Sequence, residues 1–196
     1  MNNEKASSSS FNPTASGRPN KPDLSEDVVL RGGDRVLIRP LLVGDVELER
    51  HFIEALSPTS RRFRFLRTMH APSDALLAQL TVLDPNTDAA FVAVIRSGVD
   101  ERAVGVGRFG AGHDRQDCEF ALTVADDWQN KGLATHLMRR LMEVARVRGI
   151  ARMHSSDAAD NVLMRKFAAH LHLEHEIDPD DATLVRYSVG ISASPH

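Results

Sequence analysis

The chain has 196 residues, which is enough for one domain with a packed hydrophobic core. Its net charge of −3 gives no general attraction to nucleic acid or to acidic membranes, and its single cysteine, Cys118, leaves no intrachain disulfide to form. No apolar run approaches the roughly 20 residues that cross a bilayer, and the polar N-terminus lacks the features of a secretory signal. We therefore expect a cytoplasmic protein that has neither nucleic acid nor a membrane as a partner.

The N-terminal segment differs in composition from the rest of the chain. Residues 1–25 contain four consecutive serines, three prolines and few apolar side chains, so they cannot bury enough surface to offset the entropy lost on ordering. We expect a disordered tail there, a single domain over residues 26–192 and a flexible end at residues 193–196. The sequence shows no internal repeat.

The first third of the domain predicts a hairpin followed by three short helices. Gly32-Gly33 forms a turn sequence between two short apolar runs, as in a β-hairpin. Asp45 is a suitable cap for a helix that would bury one face, made of Leu48, Phe52, Ala55 and Leu56. A second helix is predicted to begin at Ser57-Pro58, and a third to cover residues 73–80.

The rest of the chain alternates strands with two longer helices. Predicted strands cover residues 89–95, 103–109, 118–124, 150–155 and 183–189, with turns at Ser97-Gly98 and at residues 112–114. The predicted helices are residues 132–148, with an apolar stripe of Leu133, Leu137, Leu141, Val144 and Ala145, and residues 161–171, with Leu163, Phe167 and Leu171 on one side. This order predicts an α/β fold with a mixed sheet of six to seven strands and helices on both faces.

The turn at residues 129–134 is the most informative segment. It joins a predicted strand to the start of a long helix, where unpaired N–H groups and the helix dipole favour a phosphate. Gly132 removes a side chain at that point, and Lys131 can add a positive charge. The pattern indicates a binding site for a phosphate-bearing cofactor, although a short glycine pattern also occurs in ordinary strand–turn–helix connections.

This turn resembles the acetyl-CoA motif of the GNAT N-acetyltransferase superfamily, written Gln/Arg-x-x-Gly-x-Gly/Ala, and Glu119-Phe120-Ala121 precedes it as in that family. Other matching segments are residues 36–40, 44–45 and 57–65, which resemble the opening of the bacterial group related to protein-lysine acetyltransferases, and Asp160-Asn161 with Met164, which resembles the start of the last core helix. The resemblance extends over residues 28–189 and implies the GNAT fold.

The resemblance also implies a set of cofactor contacts, with acetyl-CoA as co-substrate and no metal. Main-chain groups of Leu122 and Val124 would bond the pantetheine arm, and Asn161 would reach its amides, although asparagine at a helix start is also an ordinary cap. The turn would supply the remaining contacts, from Gln129, Asn130, Lys131, Gly132, Leu133, Ala134 and Thr135.

Acetyl transfer to an amine requires a neutral amine, and a free lysine has a pKa of about 10.4. A positioned carboxylate can take the proton, directly or through water. In the lysine-acetylating group the glutamate of Glu-Phe-Ala is the proposed base, which makes Glu119 our candidate catalytic residue. The alternative is a glutamate on the solvated side of a strand, because Glu119 alternates with Phe120.

Two positions differ from the family pattern. Ala168 stands where many relatives have the tyrosine that protonates the CoA thiolate, and His172 stands where the last helix usually ends in glycine. We expect an N-acetyltransferase whose acceptor is a protein lysine or a small amine. A non-catalytic acyl-CoA-binding regulatory module stays open as an alternative, and an RNA-binding protein is supported only by the arginines of residues 61–67.

Overall fold

The structure, a computed structural model, describes residues 24–112 and 116–191. The predicted tail up to residue 23, the predicted flexible end and the His113-Asp114 part of one predicted turn lie outside the described residues. In the part that is described, one eight-stranded sheet is combined with five α-helices.

The elements follow one another in the order that the sequence predicts, with one additional strand. The strands are β1 (Glu26–Val29), β2 (Arg35–Pro40), β3 (Asp88–Ser97), β4 (Asp100–Ala111), β5 (Asp117–Val124), β6 (Arg152–Ala158), β7 (Glu174–Ile177) and β8 (Leu184–Gly190). The helices are α1 (Val46–Ala55), α2 (Pro58–Phe65), α3 (Asp74–Thr81), α4 (Leu133–Val147) and α5 (Val162–His170).

The sheet is mixed, with the order β1-β2-β3-β4-β5-β6-β8-β7. The β5–β6 pair is parallel, and the other described pairs are antiparallel. The predicted fold class is therefore confirmed. The additional strand is β7, whose four residues are all exposed at the sheet edge, so it has no alternation of apolar and polar residues for a sequence pattern to reveal.

The first helix differs in detail from the prediction. Asp45 stands directly before α1, but its carboxylate does not cap that helix; it accepts a hydrogen bond from the Leu42 amide at 2.7 Å and pairs with Arg39 at 2.8 Å. A cation is the stronger partner for a carboxylate than a neutral amide. The predicted apolar face is also shifted, since Ala55 is exposed while Ile53 is buried.

Helices cover both faces of the sheet, and β4 shows which helix lies on which face. A Cβ built at Gly107 would lie 2.9 Å from Leu122 and 3.2 Å from Leu137 of α4, so this glycine lets α4 pack closely. Arg108 points to the opposite face, where it interacts with Glu49 of α1. We call the two sides the α4 face and the α1 face.

The last helix ends as the sequence suggests. His172 has φ 55°, a left-handed conformation that glycine adopts without strain and histidine does not. On α5 the buried residue is Ala168, at 2% exposure. Of the three residues predicted on one side of this helix, Leu163 and Phe167 line a cavity, and Phe167 and Leu171 pack partly buried against the core.

The parallel strands β5 and β6 separate part-way along their length. They pair only from Asp117 with Arg152 to Glu119 with His154. Beyond that point the rest of β5 pairs only with β4, and the rest of β6 only with β8. The sheet therefore opens between these strands, and one edge of β5 is left without a partner strand among the described residues.

Candidate active site

A cavity of about 300 Å³ lies where β5 and β6 separate. Its walls come from both faces of the sheet: α2 on one side, α4 and α5 on the other, and the open edge of β5 between them. The turn from Trp128 to Gly132 closes one end. The cavity thus crosses the sheet, so two molecules that enter from opposite faces can meet in it.

The turn before α4 has the backbone geometry of an anion site. Asn130 and Gly132 both have left-handed φ values, 61° and 91°, while Lys131 between them does not. Such alternation aims successive N–H groups to one side, and here it does so at the positive end of α4. Apart from its own chain neighbours, no described residue has an atom within 4 Å of a Cβ built at Gly132, so the space beside the turn is open to a ligand.

Nine of the ten residues predicted to contact the cofactor line this cavity: Leu122, Val124, Gln129, Asn130, Gly132, Leu133, Ala134, Thr135 and Asn161. Lys131 does not line it. Its ammonium pairs with Asp34 at 2.9 Å and lies 4.5 Å from the centre of the Trp128 ring. Lys131 therefore fastens the turn to the β1–β2 hairpin rather than presenting its charge to the cavity.

A side chain of the turn and one of β5 provide further polar groups. Gln129 donates from Nε2 to the Val124 carbonyl at 3.3 Å, which holds the turn against β5. Thr123 lines the cavity, and its buried Oγ1 has no hydrogen-bond partner among the described residues. A buried hydroxyl without a partner costs free energy, and a ligand that hydrogen-bonds to it would remove that cost.

Asn161 caps α5 and also contacts β6. Its Oδ1 accepts from the Met164 amide at 3.1 Å, so the capping role is confirmed, and its Nδ2 donates to Asp157 at 2.9 Å. Burial raises the pKa of Asp157, although the hydrogen bonds that it accepts from Asn161 Nδ2 and from the Ala158 amide oppose the effect. Asp157 lines the cavity and was not identified from the sequence, because no motif marks it.

Glu119 lies at the last paired position before β5 and β6 separate, beside His154. It is exposed, points to the α1 face and does not line the cavity itself. Thr123, four residues further along β5 and about 13 Å away at strand spacing, does line it. Glu119 therefore stands at the approach to the cavity from the α1 face.

Cys118 is not available as a nucleophile. Its side chain is 1% exposed and points to the α4 face, and burial, followed by the nearby Asp117, raises the pKa of the thiol to about 12. A thiol with such a pKa stays protonated at neutral pH, and the thiolate is the reactive form. The predicted buried structural thiol fits this geometry.

Helix α2 is joined to the anion-binding turn through Asp126. This carboxylate accepts hydrogen bonds from the Ser57 amide at 2.9 Å and from the hydroxyls of Ser57 and Ser60 at 2.7 Å each. Burial works to raise the pKa of Asp126, but these donors outweigh it, so the pKa lies below its usual value. The contact fixes one wall of the cavity relative to the other.

The comparisons with known proteins agree with this geometry. Residues 53–172 match the model of the Acetyltransferase (GNAT) family, and the chain belongs to this family. The prediction of an N-acetyltransferase is therefore confirmed at the level of the enzyme class. None of the described helices is long and apolar enough to cross a membrane, and no group of three or more metal-ligating side chains occurs among the described residues.

Two curated proteins and one solved structure are similar to this chain. The chain is 43% identical over 162 residues to "Acetyltransferase PA5475" of Pseudomonas aeruginosa, covering 83% of this chain and 87% of that protein. It is 35% identical over 147 residues to "Acetyltransferase Pat" of Mycolicibacterium smegmatis, covering 74% of this chain but only 43% of the relative. The crystal structure of the GNAT domain of S. lividans PAT superposes with a TM-score of 0.78 at 25% identity, covering 85% of this chain and 97% of that domain.

Proposed function

We propose that the chain transfers the acetyl group of acetyl-CoA to a primary amine by direct attack of the amine on the thioester. The acceptor would be a protein lysine or a small amine. The observation that supports this most directly is the position of the anion-binding turn, which opens into the same cavity as the unpaired edge of β5. The named acetyltransferases that the chain resembles support the same reaction.

The residues of the α4 face fit the cofactor. The N–H groups around Gly132 would hold the diphosphate, because they are the unpaired donors at the start of α4. The main-chain groups of Leu122 and Val124 would pair with the amides of the pantetheine arm as an added strand would. Asn161, already fixed by its cap and by Asp157, would present its side chain to the same arm.

Glu119 would remove the proton from the incoming ammonium group, directly or through one water. The nitrogen lone pair then forms the new C–N bond at the thioester carbon. The C–S bond breaks, the CoA thiolate leaves, and the nitrogen gives up its second proton to water. Because Cys118 is buried and protonated, no enzyme thiol carries the acetyl group, so the amine attacks the thioester itself.

The leaving thiolate does not require a tyrosine in this chain. Ala168 occupies the position where many relatives have one, and its side chain is buried and does not line the cavity. A free thiol has a pKa of about 8.5, so a thiolate is a tolerable leaving group near neutral pH and can take its proton from water.

The test combines binding and turnover. Wild-type protein should bind acetyl-CoA in calorimetry and release CoA thiol with a panel of lysine peptides and small amines. Glu119→Gln should lower kcat by about 100-fold with unchanged acetyl-CoA affinity, because a general base contributes to the chemical step only. Glu174→Gln, an exposed strand glutamate on the distant edge strand β7, is the matched control and should leave both unchanged.

Three outcomes would contradict parts of this proposal. If no heat of binding were detected with millimolar acetyl-CoA, the cofactor assignment would be wrong. If Glu119→Gln retained wild-type turnover, Glu119 would not be the base. Binding without turnover across the whole panel would instead identify a regulatory module that senses acyl-CoA.

A further inference from the structure

Arg64 lines the cavity from the α1 face. Arg64 lies on α2, with its Cζ 5.1 Å from the centre of the Phe65 ring. Among the described residues none accepts a hydrogen bond from it, in contrast to Arg61 and Arg62 of the same helix, which bond to the His70 carbonyl and to Asp160. Arg64 thus presents unused donors to the cavity.

A buried group of charges surrounds Arg64 on the α1 face. Glu49 of α1 is 2% exposed, and its Oε2 has no hydrogen-bond partner among the described residues. It interacts electrostatically with Arg64 and Arg108, while burial raises its pKa. Arg64 therefore shares the Glu49 carboxylate with Arg108 and does not have it as a partner of its own.

Arg64 remains a cation in this environment. Burial, followed by the nearby Arg108, lowers the pKa of Arg64 to about 10, and Glu49 and Glu119 oppose the effect. The group is therefore protonated at neutral pH. A guanidinium group without a hydrogen-bond partner can form a charge-assisted, two-point bond with an incoming carboxylate.

The anion that Arg64 would receive belongs to the acceptor rather than to the cofactor. The anion-binding turn serves the α4 face, whereas Arg64 shares the α1 face with Glu119 and interacts with it electrostatically. Glu119 attracts an ammonium group and Arg64 a carboxylate. Together they form a pair of charges that is complementary to a molecule carrying both an amine and a carboxylate.

We propose that Arg64 binds a carboxylate of the acceptor, so that the preferred acceptor carries this group close to the amine that becomes acetylated. The proposal rests on the function proposed above and names its substrate class. The carboxylate has two possible sources: the carboxyl group of a free amino acid, or an acidic side chain next to a lysine in a protein.

The test compares each carboxylate acceptor with its uncharged amide. The first set of acceptors consists of ω-amino acids of two to six carbons and their primary amides. Each rate is divided by the fraction of the amine that is neutral, so that differences in amine pKa do not enter the comparison. The second set consists of lysine peptides with Glu or Gln next to the lysine. Wild-type enzyme should favour the carboxylate by about 10- to 100-fold in kcat/KM in one set, the range expected for a charge-assisted bond to arginine. The set that shows this preference identifies the source.

Arg64→Gln should bring the ratio of kcat/KM for carboxylate and amide acceptors to about one, by raising KM for the carboxylate acceptors more than for the amides. Arg64→Lys should restore part of the preference, because it returns the charge without the planar fork. Arg67→Gln, which removes an exposed arginine just beyond α2, is the control and should behave as wild type. Thermal melts of all variants would show that each is folded.

The proposal about Arg64 is overturned if wild-type enzyme uses amides and carboxylates equally, or if Arg64→Gln slows both classes by the same factor. Loss of acetyl-CoA affinity in Arg64→Gln would assign the residue to the cofactor instead. Absence of transfer to every acceptor by wild-type enzyme that still binds acetyl-CoA would overturn the proposed transfer itself, and the acceptor role of Arg64 with it.

Discussion

The cavity opens to both faces of the sheet, but different kinds of chemical group bound it on each face. On the α4 face the cavity is bounded by main-chain groups of β5 and of the turn around Gly132, with apolar side chains such as Leu133 behind them. On the α1 face it is bounded by side chains of α2, of which Arg64 is charged, with Glu119 at the approach. The first arrangement depends on backbone shape and the second on side-chain charge.

This difference explains how one fold can keep its cofactor while its acceptor changes. A site made of backbone N–H and C=O groups tolerates many side chains, provided that glycine is present where φ is positive or where elements approach closely. A site made of a few charges changes its specificity with one or two substitutions. We therefore expect variants of the α4 face to affect stability and cofactor binding, and variants of the α1 face to affect acceptor choice.

The largest effect on stability is expected from the replacement of Gly107, which lies beneath α4. Gly107→Ala would place a Cβ 2.9 Å from Leu122, 3.2 Å from Leu137 and 3.3 Å from Leu141. We expect overpacking of this kind to destabilise the protein by about 2 kcal/mol. Because Leu122 lines the cavity, acetyl-CoA should also bind more weakly, while the preference among acceptors stays as in wild type.

Gly190→Ala is the matched control for this prediction. Gly190 ends β8, and no atom lies within 4 Å of a Cβ built there. Chemical denaturation and calorimetry of the two variants separate crowding from the general effect of replacing a strand glycine. If both variants had the stability of the wild type, α4 would not be held as closely to β4 as the structure shows.

A smaller effect, on affinity rather than folding, is expected at Gly132. Gly132 and Gly33 have nearly the same φ, 91° and 90°, and at both positions the space for a Cβ is open. Alanine should therefore cost the same at each, about 1 kcal/mol of backbone strain. Only Gly132→Ala should weaken acetyl-CoA binding, by about tenfold or more, because its N–H groups would no longer converge on the diphosphate.

Calorimetric titration and melting temperatures of the two variants test this directly. Equal losses of stability together with unequal losses of affinity would support the anion-binding role of the turn. Equal affinities would show that Gly132 is needed only to start α4.

The sequence predicted the α4 face better than the α1 face, for a physical reason. The turn at residues 129–134 is local, so its residue types and its structure are neighbours along the chain, and most of the predicted contacts do line the cavity. The charges of the α1 face come from Glu49, Arg64 and Arg108, which lie on α1, α2 and β4. Only the packing of these elements brings them together.

The arginines of residues 61–67 show the same limit. In the sequence they form one basic run that suggests nucleic acid, although the net charge argues against it and Phe63 with Leu66 indicates a packed helix face. In the structure they separate: Arg61 bonds to the His70 carbonyl, Arg62 pairs with Asp160, and Arg64 lines the cavity. The exposed strand β7 was missed for a related cause, since a strand with no buried side gives no apolar pattern.

The smallest effect is expected from the replacement of Asp126, the residue that joins α2 on the α1 face to the anion-binding turn on the α4 face. Its folded-state pKa is lowered, so the carboxylate stabilises the fold above its ordinary pKa, and this contribution is lost as the pH falls through the folded-state value. Asp126→Asn should cost about 1 kcal/mol at neutral pH, a figure reduced for the partial exposure of the group. The difference from wild type should begin to shrink as the pH falls below about 4 and should vanish only below the folded-state pKa.

Asp127→Asn provides the contrast, because the adjacent Asp127 makes, among the described residues, only an exposed pair with Arg102 at 3.3 Å. Such a pair contributes little, so this variant should match wild type at every pH. Urea denaturation at pH 7 and below pH 4 compares the three proteins. Since Asp126 fixes α2 against the anion-binding turn, Asp126→Asn should also raise KM for the acceptor more than Kd for acetyl-CoA. An effect on acetyl-CoA alone would place Asp126 with the α4 face and remove the link between the two halves of the site.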